Sequence, residues 1–171
     1  KINTKNYMDV LPETTGTIQY LQEHNIKTGV TTGFNKGIMN IIKDQLNKGD
    51  IYIDNFVSST CLNAPSRPHP YMIYENMEQL QVNNPKNIIK VDDTQNGIME
   101  GKNAGCITVG VYKWSTYMKI CEIDDEYILT NDEMEYKLNE SKNKLSEANP
   151  DFLIRSLDQL PGIIRFLNQY K

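Results

Sequence analysis

The sequence predicts an α/β fold of the Rossmann-like kind, in which three αβα layers form around a mostly parallel sheet. Two observations lead to this prediction. Short apolar runs alternate with helix-like stretches along the chain, which is the pattern of parallel strands joined by helices. A chain of 171 residues with 39% hydrophobic and 23% charged residues is also large enough to bury one core. We therefore predict one domain over residues 1–171.

Each element follows from apolar spacing and from the turn residues around it. Pro12 opens the first helix, at a position where proline is tolerated. The predicted strands are 26–31, 54–58, 88–91, 107–111 and 152–154, and the later helices are 36–47, 71–80, 97–104, 133–147 and 157–168. Helix 36–47 places Ile38, Ile41, Ile42 and Leu46 on one face. The polar stretch 124–146 predicts a solvent-facing excursion.

Composition excludes several classes of partner. The net charge of −4 and the pI of about 5.2 argue against nucleic acid and anionic membranes, which attract basic surfaces. No run approaches the roughly 20 apolar residues of a membrane helix. Cys61, Cys106 and Cys121 form no CxxC pair, which favours free thiols in a reducing, cytoplasmic compartment. The chain has two histidines, His24 and His69, which argues against a histidine-based zinc site.

Polar residues follow three of the predicted strands, where ligands bind in open α/β sheets. The first group is Thr31, Thr32 and Gly33, whose hydroxyl and backbone N–H groups suit a phosphate oxygen. The alternative is an ordinary turn with a threonine that caps the next helix. The second group contains Arg67, held between prolines and so preorganised to bind a phosphoryl group. The alternative is a surface arginine, and His69 in the same loop is expected to pack or to face solvent.

The third group is Asp92, Asp93 and Thr94, directly after an apolar strand. Adjacent carboxylates at a strand end repel each other unless they share a cation, and their oxygens suit Mg²⁺. The alternative makes Asp93 a helix cap and leaves Asp92 in solvent. The three groups in this order are a stronger signal than any one of them. No GxGxxG follows a predicted strand, which argues against a nicotinamide-binding domain.

This order of groups resembles that of the haloacid dehalogenase superfamily. The residues within the groups resemble the motifs of the phosphonoacetaldehyde hydrolase branch. The similar segments are 27–34 (KTGVTTGF), 64–72 (APSRPHPYM), 90–94 (KVDDT), 97–101 (GIMEG), 103–111 (NAGCITVGV) and 149–160. They cover almost the whole chain. Arginine rather than lysine in the second segment is the most branch-specific feature.

The resemblance implies roles for individual residues. Thr32 and Gly33 would bind the phosphoryl oxygens, and Arg67 would neutralise the phosphoryl charge and orient the nucleophile. Asp93 would bind Mg²⁺, with Asp92 and Thr94 as its support. The implied activity is Mg²⁺-dependent hydrolysis of the C–P bond of phosphonoacetaldehyde, or of a close analogue, to acetaldehyde and phosphate. The alternatives are a phosphate-monoester phosphatase, a sugar phosphomutase, or a non-catalytic binding protein on the same fold.

Three departures from the family pattern bear on this expectation. Many relatives carry glycine where Asp92 stands and an acid where Gly97 stands, although some use an Asp-Asp pair. Phe34 replaces a common tyrosine. Relatives also have a first strand with an Asp-x-x-Gly-Thr nucleophile motif and a helical cap that supplies a Schiff-base lysine, and neither motif occurs in these 171 residues.

Two expectations follow from that third departure. The core is partial and inactive alone, and the sheet is interrupted between the strand of Thr32 and the strand of Asp93, where backbone groups would lack partners. The resemblance also implies a homodimer formed through the cap and a small phosphonate or phosphate substrate.

Overall fold

A computed structural model describes residues 10–120 and 128–169 of the chain. The helices are α1 Pro12–Glu23, α2 Lys36–Lys48, α3 Tyr71–Leu80, α4 Gln95–Ala104, α5 Asn131–Ser146 and α6 Leu160–Gln169. The strands are β1 Gly29–Thr32, β2 Asn55–Ser58, β3 Ile89–Asp92, β4 Ile107–Val111 and β5 Phe152–Ile154. Helices and strands alternate along most of the chain, as predicted.

The strands form two sheets, and every strand pair is parallel. β1 pairs with β2, and β4 lies between β3 and β5. The prediction of a mostly parallel sheet is confirmed. Within the described residues, β1 and β3 do not pair with each other, so the sheet is interrupted at the expected place.

A slot separates the two sheets. The cavity there measures about 930 Å³ and is lined by residues of β1 and β3 and by apolar side chains of α1, α3 and α6. Leu21, Val30, Ile73, Val91 and Leu160 are among the lining residues. The slot therefore has two unpaired strand edges and apolar walls.

Helices cover both faces of the three-stranded sheet. Leu21 of α1 and Ile163 and Ile164 of α6 form a buried cluster with Val109 and Ile154 on one face. On the other face, Ile98 of α4 packs with Leu145 of α5 and Ala148. This arrangement gives the predicted three layers.

The exposure of some residues in α2 and α5 differs from what the sequence predicted. The shared face of α2 is only partly covered: Ile38 and Ile41 are exposed, and Met39 is the residue that is buried. Spacing shows which residues share a face but not whether anything covers it. In α5 most residues are exposed, as predicted, but Leu138, Ser141 and Leu145 are buried, so this helix packs against the domain instead of projecting from it.

Some predictions fall outside the described residues. Cys121 and residues 124–127 lie there, as do residues 1–9. Cys61 and Cys106 are both free thiols, the first exposed and the second buried. Within the described ranges, no helix is both long enough and apolar enough to cross a bilayer.

Candidate active site

The loop after β1 is fixed by hydrogen bonds at the carboxyl ends of β1 and β2. The Thr32 hydroxyl accepts a hydrogen bond from the N–H of Phe34 at 3.1 Å. Ser58 and Ser59 donate to the carbonyl oxygens of Phe34 and Gly33. Asn35, not a threonine, caps α2, so the threonine cap of the alternative interpretation is wrong. The Thr32 oxygen acts as an acceptor here, which leaves its O–H hydrogen for a ligand.

The proline-rich loop brings Arg67 to Gly33. A side chain built on Gly33 would place its Cβ 3.8 Å from Arg67 Nη2. Asn103 of α4 donates to the carbonyl of Pro68 at 2.8 Å, which ties the loop to the other sheet's helix layer. Arg67 points inward to Asp92 at 3.4 Å rather than lying on the surface. His69 is exposed, as expected.

Asp92 is enclosed by donors on both of its oxygens. Oδ1 accepts the N–H and the hydroxyl of Thr94 at 3.0 and 2.7 Å. Oδ2 contacts Lys90 Nζ at 3.0 Å and Arg67 Nη1 at 3.4 Å. Burial is the largest influence on the pKa of Asp92 and would raise it, but Lys90, Thr94 and Arg67 together lower it below its ordinary 3.8. Asp92 is therefore a compensated carboxylate and is not solvent-facing.

Asp93 has the opposite electrostatic environment. Burial and the negative charge of Asp92 raise the pKa of Asp93 above its ordinary 3.8. The backbone N–H groups of Asp93 and Thr116 and the charge of Arg67 lower this pKa by smaller amounts. Thr94, not Asp93, caps α4 by accepting the N–H of Gly97 at 3.1 Å. Asp93 therefore lacks the close cationic partners that Asp92 has.

Two glycines of α4 make room for the polar side chains of β3. A Cβ on Gly97 would lie 1.8 Å from Asp92 Cγ, and one on Gly101 would lie 2.7 Å from Lys90 Cγ. The two glycines are one helical turn apart, and the two side chains project from the same face of the strand. Gly97 and Asp92 are thus sterically complementary, and an acid at position 97 would need the space that the Asp92 carboxylate fills.

A pocket of about 380 Å³ lies at the carboxyl ends of the strands and brings together some of the predicted residues, whereas Thr32, Asp92 and Asp93 are not among its lining residues. Its lining includes Gly33, Arg67 and Thr94 from the three predicted groups, together with Ser66 and Tyr117. Parallel strands bring their carboxyl ends to one edge, which is why segments distant in sequence converge. Phe34, which stands where many relatives have a tyrosine, is 55% exposed.

Sequence analysis missed a buried cluster beside this pocket. Lys90 Nζ contacts Thr31 Oγ1 at 2.8 Å and Glu100 Oε2 at 3.1 Å, and Thr31 donates to the same Glu100 oxygen at 3.1 Å. The two-residue spacing of Lys90 and Asp92 could have placed both side chains on one strand face. Tyr117 was also missed. Its hydroxyl accepts the N–H of Gln95 at the start of α4.

Comparison with known proteins agrees with this arrangement. The haloacid dehalogenase-like hydrolase family model matches residues 1–111. The phosphonoacetaldehyde hydrolase of Bacteroides fragilis is 32% identical over 164 residues, which are 96% of this chain and 62% of that protein. The one from Lysinibacillus sphaericus is 32% identical, over 95% of this chain and 60% of its own. The chain spans about three-fifths of the length of these relatives.

A solved structure gives the same picture. The phosphonoacetaldehyde hydrolase-like protein of Oleispira antarctica superimposes with a TM-score of 0.89 at 27% identity, over 95% of this chain and 58% of that one. The Rossmann-like core, the convergent strand-end site and the family match over most of the sequence lead to one conclusion. The chain belongs to the haloacid dehalogenase-like hydrolases.

Proposed function

We propose that this chain supplies the phosphoryl- and Mg²⁺-binding part of an enzyme that hydrolyses phosphonoacetaldehyde. In that reaction water cleaves the C–P bond, carbon takes a proton to give acetaldehyde, and phosphorus leaves as phosphate. The observation that carries the proposal is the contrast between Asp92, which Lys90 and Arg67 compensate, and Asp93, which forms no ion pair with any described residue. The names of the relatives support the substrate.

Mg²⁺ fits Asp93 better than Asp92, because Asp92 already contacts two cationic side chains. Mg²⁺ is commonly held by one or two carboxylates together with water and substrate phosphate. Within the described residues, no three Asp, Glu, His or Cys side chains form a larger metal-binding group. Asp93 is the residue that would bind the ion, while Asp92 and Thr94 hold the strand end in place. The bound ion would supply positive charge to the transferring phosphoryl group.

The chain's own residues account for recognition of the phosphoryl group. Arg67 lies beside the Gly33 backbone, where its guanidinium can bind two phosphoryl oxygens. The Thr32 hydroxyl could donate its hydrogen to a third phosphoryl oxygen. Positioned charges of this kind are the main source of catalysis in phosphoryl transfer.

A phosphate-monoester phosphatase or a phosphomutase is the second candidate. The described residues that line the pocket include no lysine that could form a Schiff base with an aldehyde. This part of the chain would therefore bind the phosphoryl group without selecting the organic group attached to phosphorus. The substrate would then depend on residues outside the described site. The acidic net charge supports a small-molecule substrate over nucleic acid. The cytoplasmic location and the homodimer remain predictions.

The test is turnover by the protein expressed from its complete coding sequence, with acetaldehyde and phosphate measured in parallel. We expect Arg67→Ala and Asp93→Asn each to lower kcat/KM for phosphonoacetaldehyde by at least about a hundredfold, because each removes charge stabilisation of the transition state. Arg155→Ala is the matched control, since Arg155 is half-exposed and pairs with Glu135.

Two results would favour the alternatives. Faster hydrolysis of p-nitrophenyl phosphate than of phosphonoacetaldehyde, with no borohydride inactivation in the presence of the aldehyde, would favour a phosphatase. Failure to bind Mg²⁺ at millimolar concentration, together with the absence of turnover, would favour a non-catalytic protein.

A further inference from the structure

Lys90 is held in a buried polar cluster that joins the two sheets. Its side chain is 11% exposed, and its three N–H donors match three acceptors: Thr31 Oγ1, Asp92 Oδ2 and Glu100 Oε2, at 2.8, 3.0 and 3.1 Å. Thr31 belongs to β1, Lys90 to β3 and Glu100 to α4. The cluster therefore crosses the slot at its carboxyl end.

Stability alone is a weak reason for this cluster. Glu100 is fully buried, and its second carboxylate oxygen, Oε1, has no hydrogen-bond partner among the described residues. A buried ion pair of this kind is often no more stabilising than apolar side chains of similar size. The fixed position of the ammonium group beside Asp92 is the more informative property.

Lys90 and Arg67 share one oxygen of Asp92. The Lys90 contact to Oδ2 is 3.0 Å, whereas the Arg67 contact to the same atom is 3.4 Å and involves a single guanidinium nitrogen. Without Lys90, Oδ2 would lose its nearer cation and would draw the Arg67 guanidinium closer, while Oδ1 would stay bonded to Thr94. An arginine held in that way would turn its donors away from the pocket beside Gly33.

We propose that Lys90 is a positioning residue that neutralises Asp92 and thereby keeps the guanidinium of Arg67 free to bind a phosphoryl group. This inference rests on the proposed role of Arg67. Glu100 and Thr31 hold the ammonium group in place, which explains why a fully buried carboxylate lies one helix turn from the site. Lys90 itself does not touch the substrate.

The test removes Lys90 and also neutralises Glu100, so that the charge of Asp92 is left to attract Arg67. The variant Lys90→Met with Glu100→Gln replaces the ion pair by neutral groups, since Lys90→Met alone would leave Glu100 unpaired. A third change, Asp92→Asn, keeps the acceptor for Thr94 but removes the charge that would attract Arg67. Lys102→Met is the control. Lys102 lies on α4, as Glu100 does, but it donates to the carbonyls of Ala148 and Asn149 and not to the cluster.

The first measurement is the binding of inorganic phosphate, followed by ³¹P NMR. We expect the double variant to bind phosphate about tenfold more weakly than the unaltered chain, and the triple variant to recover to within about twofold. Lys102→Met should bind as the unaltered chain does. Equal binding by the double variant, or no recovery on adding Asp92→Asn, would overturn the proposal.

The second measurement reports on Arg67 without any ligand. The chain has three arginines, and the ¹⁵N guanidinium signal of Arg67 is assigned by its loss in Arg67→Lys. In the double variant, pairing with Asp92 should slow guanidinium rotation, and Asp92→Asn should reverse the change. An Arg67 signal that does not respond to the double variant overturns the role of Lys90 even if phosphate binds. A responsive signal in a chain that binds no phosphate supports the role of Lys90 and contradicts the proposed function instead.

Discussion

The two sheets begin alike and end differently. At the start of the first, Asp54 accepts the N–H and hydroxyl of Thr28 at 2.7 and 2.9 Å. In the second, Asp151 accepts the N–H and hydroxyl of Thr108 at 2.7 and 2.8 Å. The same threonine–aspartate clamp therefore joins β1 to β2 and β4 to β5.

The carboxyl ends of the two sheets carry different chemistry. The first sheet and the loop after it contribute Thr32, Gly33 and Arg67, while the second contributes Asp92 and Asp93. In the proposed function, donors for the phosphoryl group would come from one sheet and acceptors for a cation from the other. In the part of the chain that the structure describes, β1 and β3 are not paired, and side chains such as Lys90 and Arg67 connect the two halves.

The largest effect should come from disturbing the fit of α4 on the second sheet. Gly97→Ala places a methyl group 1.8 Å from Asp92 Cγ, and Asp92 is held by four contacts, so we expect a loss of about 3 kcal/mol in the free energy of unfolding. Urea denaturation measures it. Adding Asp92→Gly should recover much of the loss.

Gly16→Ala serves as the control for this substitution. Gly16 lies in α1 with nothing within 4 Å of a built Cβ, and alanine there should stabilise the chain by about 0.5–1 kcal/mol. An equal loss from Gly16→Ala and Gly97→Ala would contradict the steric fit between α4 and β3.

The clamps offer a direct comparison of the sheets. Asp54→Ala and Asp151→Ala each leave a threonine N–H and hydroxyl without their acceptor, and we expect each to destabilise the chain by about 1–3 kcal/mol. Hydrogen exchange should locate the damage, with faster exchange in β1–β2 for the first variant and in β4–β5 for the second. Uniform acceleration in both variants would mean that the sheets unfold as one unit.

The smallest effect should come from the cysteines, one beside each sheet. Burial raises the pKa of the Cys106 thiol to about 11 from an ordinary 9.0, whereas Cys61 is exposed. The folded chain keeps Cys106 protonated while the unfolded chain ionises it, so stability is retained below pH 9 and falls as pH rises above it. By pH 10 the loss should be about 1.4 kcal/mol.

Cys106→Ala separates this loss from other alkaline effects, since the variant should lack that part of the pH dependence. In a Cys121→Ser background, Cys61 should react with a thiol reagent at pH 8 while Cys106 reacts only after unfolding. Equal rates for the two thiols would contradict the burial of Cys106.

Local patterns predicted most of the fold. The bounds of α3, β4 and β5 agree with the structure, and a turn residue stands one or two positions before each of them: Pro70, Gly105 and Pro150. The meeting of Gly33, Arg67 and Thr94 at one pocket was predictable because parallel strands share a carboxyl edge. Their roles remain predictions.

The residues that sequence analysis missed depend on distant contacts. Lys90 and Glu100 are ten residues apart and meet because α4 packs on β3 through Gly97 and Gly101. No local pattern shows that a lysine in a strand is buried. The exposure of Ile38 likewise depends on what packs against α2 rather than on the helix's own spacing.

The most direct test is an ¹⁵N–¹H NMR titration of this chain with Mg²⁺ and inorganic phosphate. If the carboxyl ends of the two sheets form one phosphoryl- and Mg²⁺-binding site, the amide signals of Gly33 in one half and Asp93 in the other should shift together and saturate. Asp93→Asn should abolish the response to Mg²⁺. Saturable shifts confined to one sheet, or a response to Mg²⁺ that survives Asp93→Asn, would contradict a shared site.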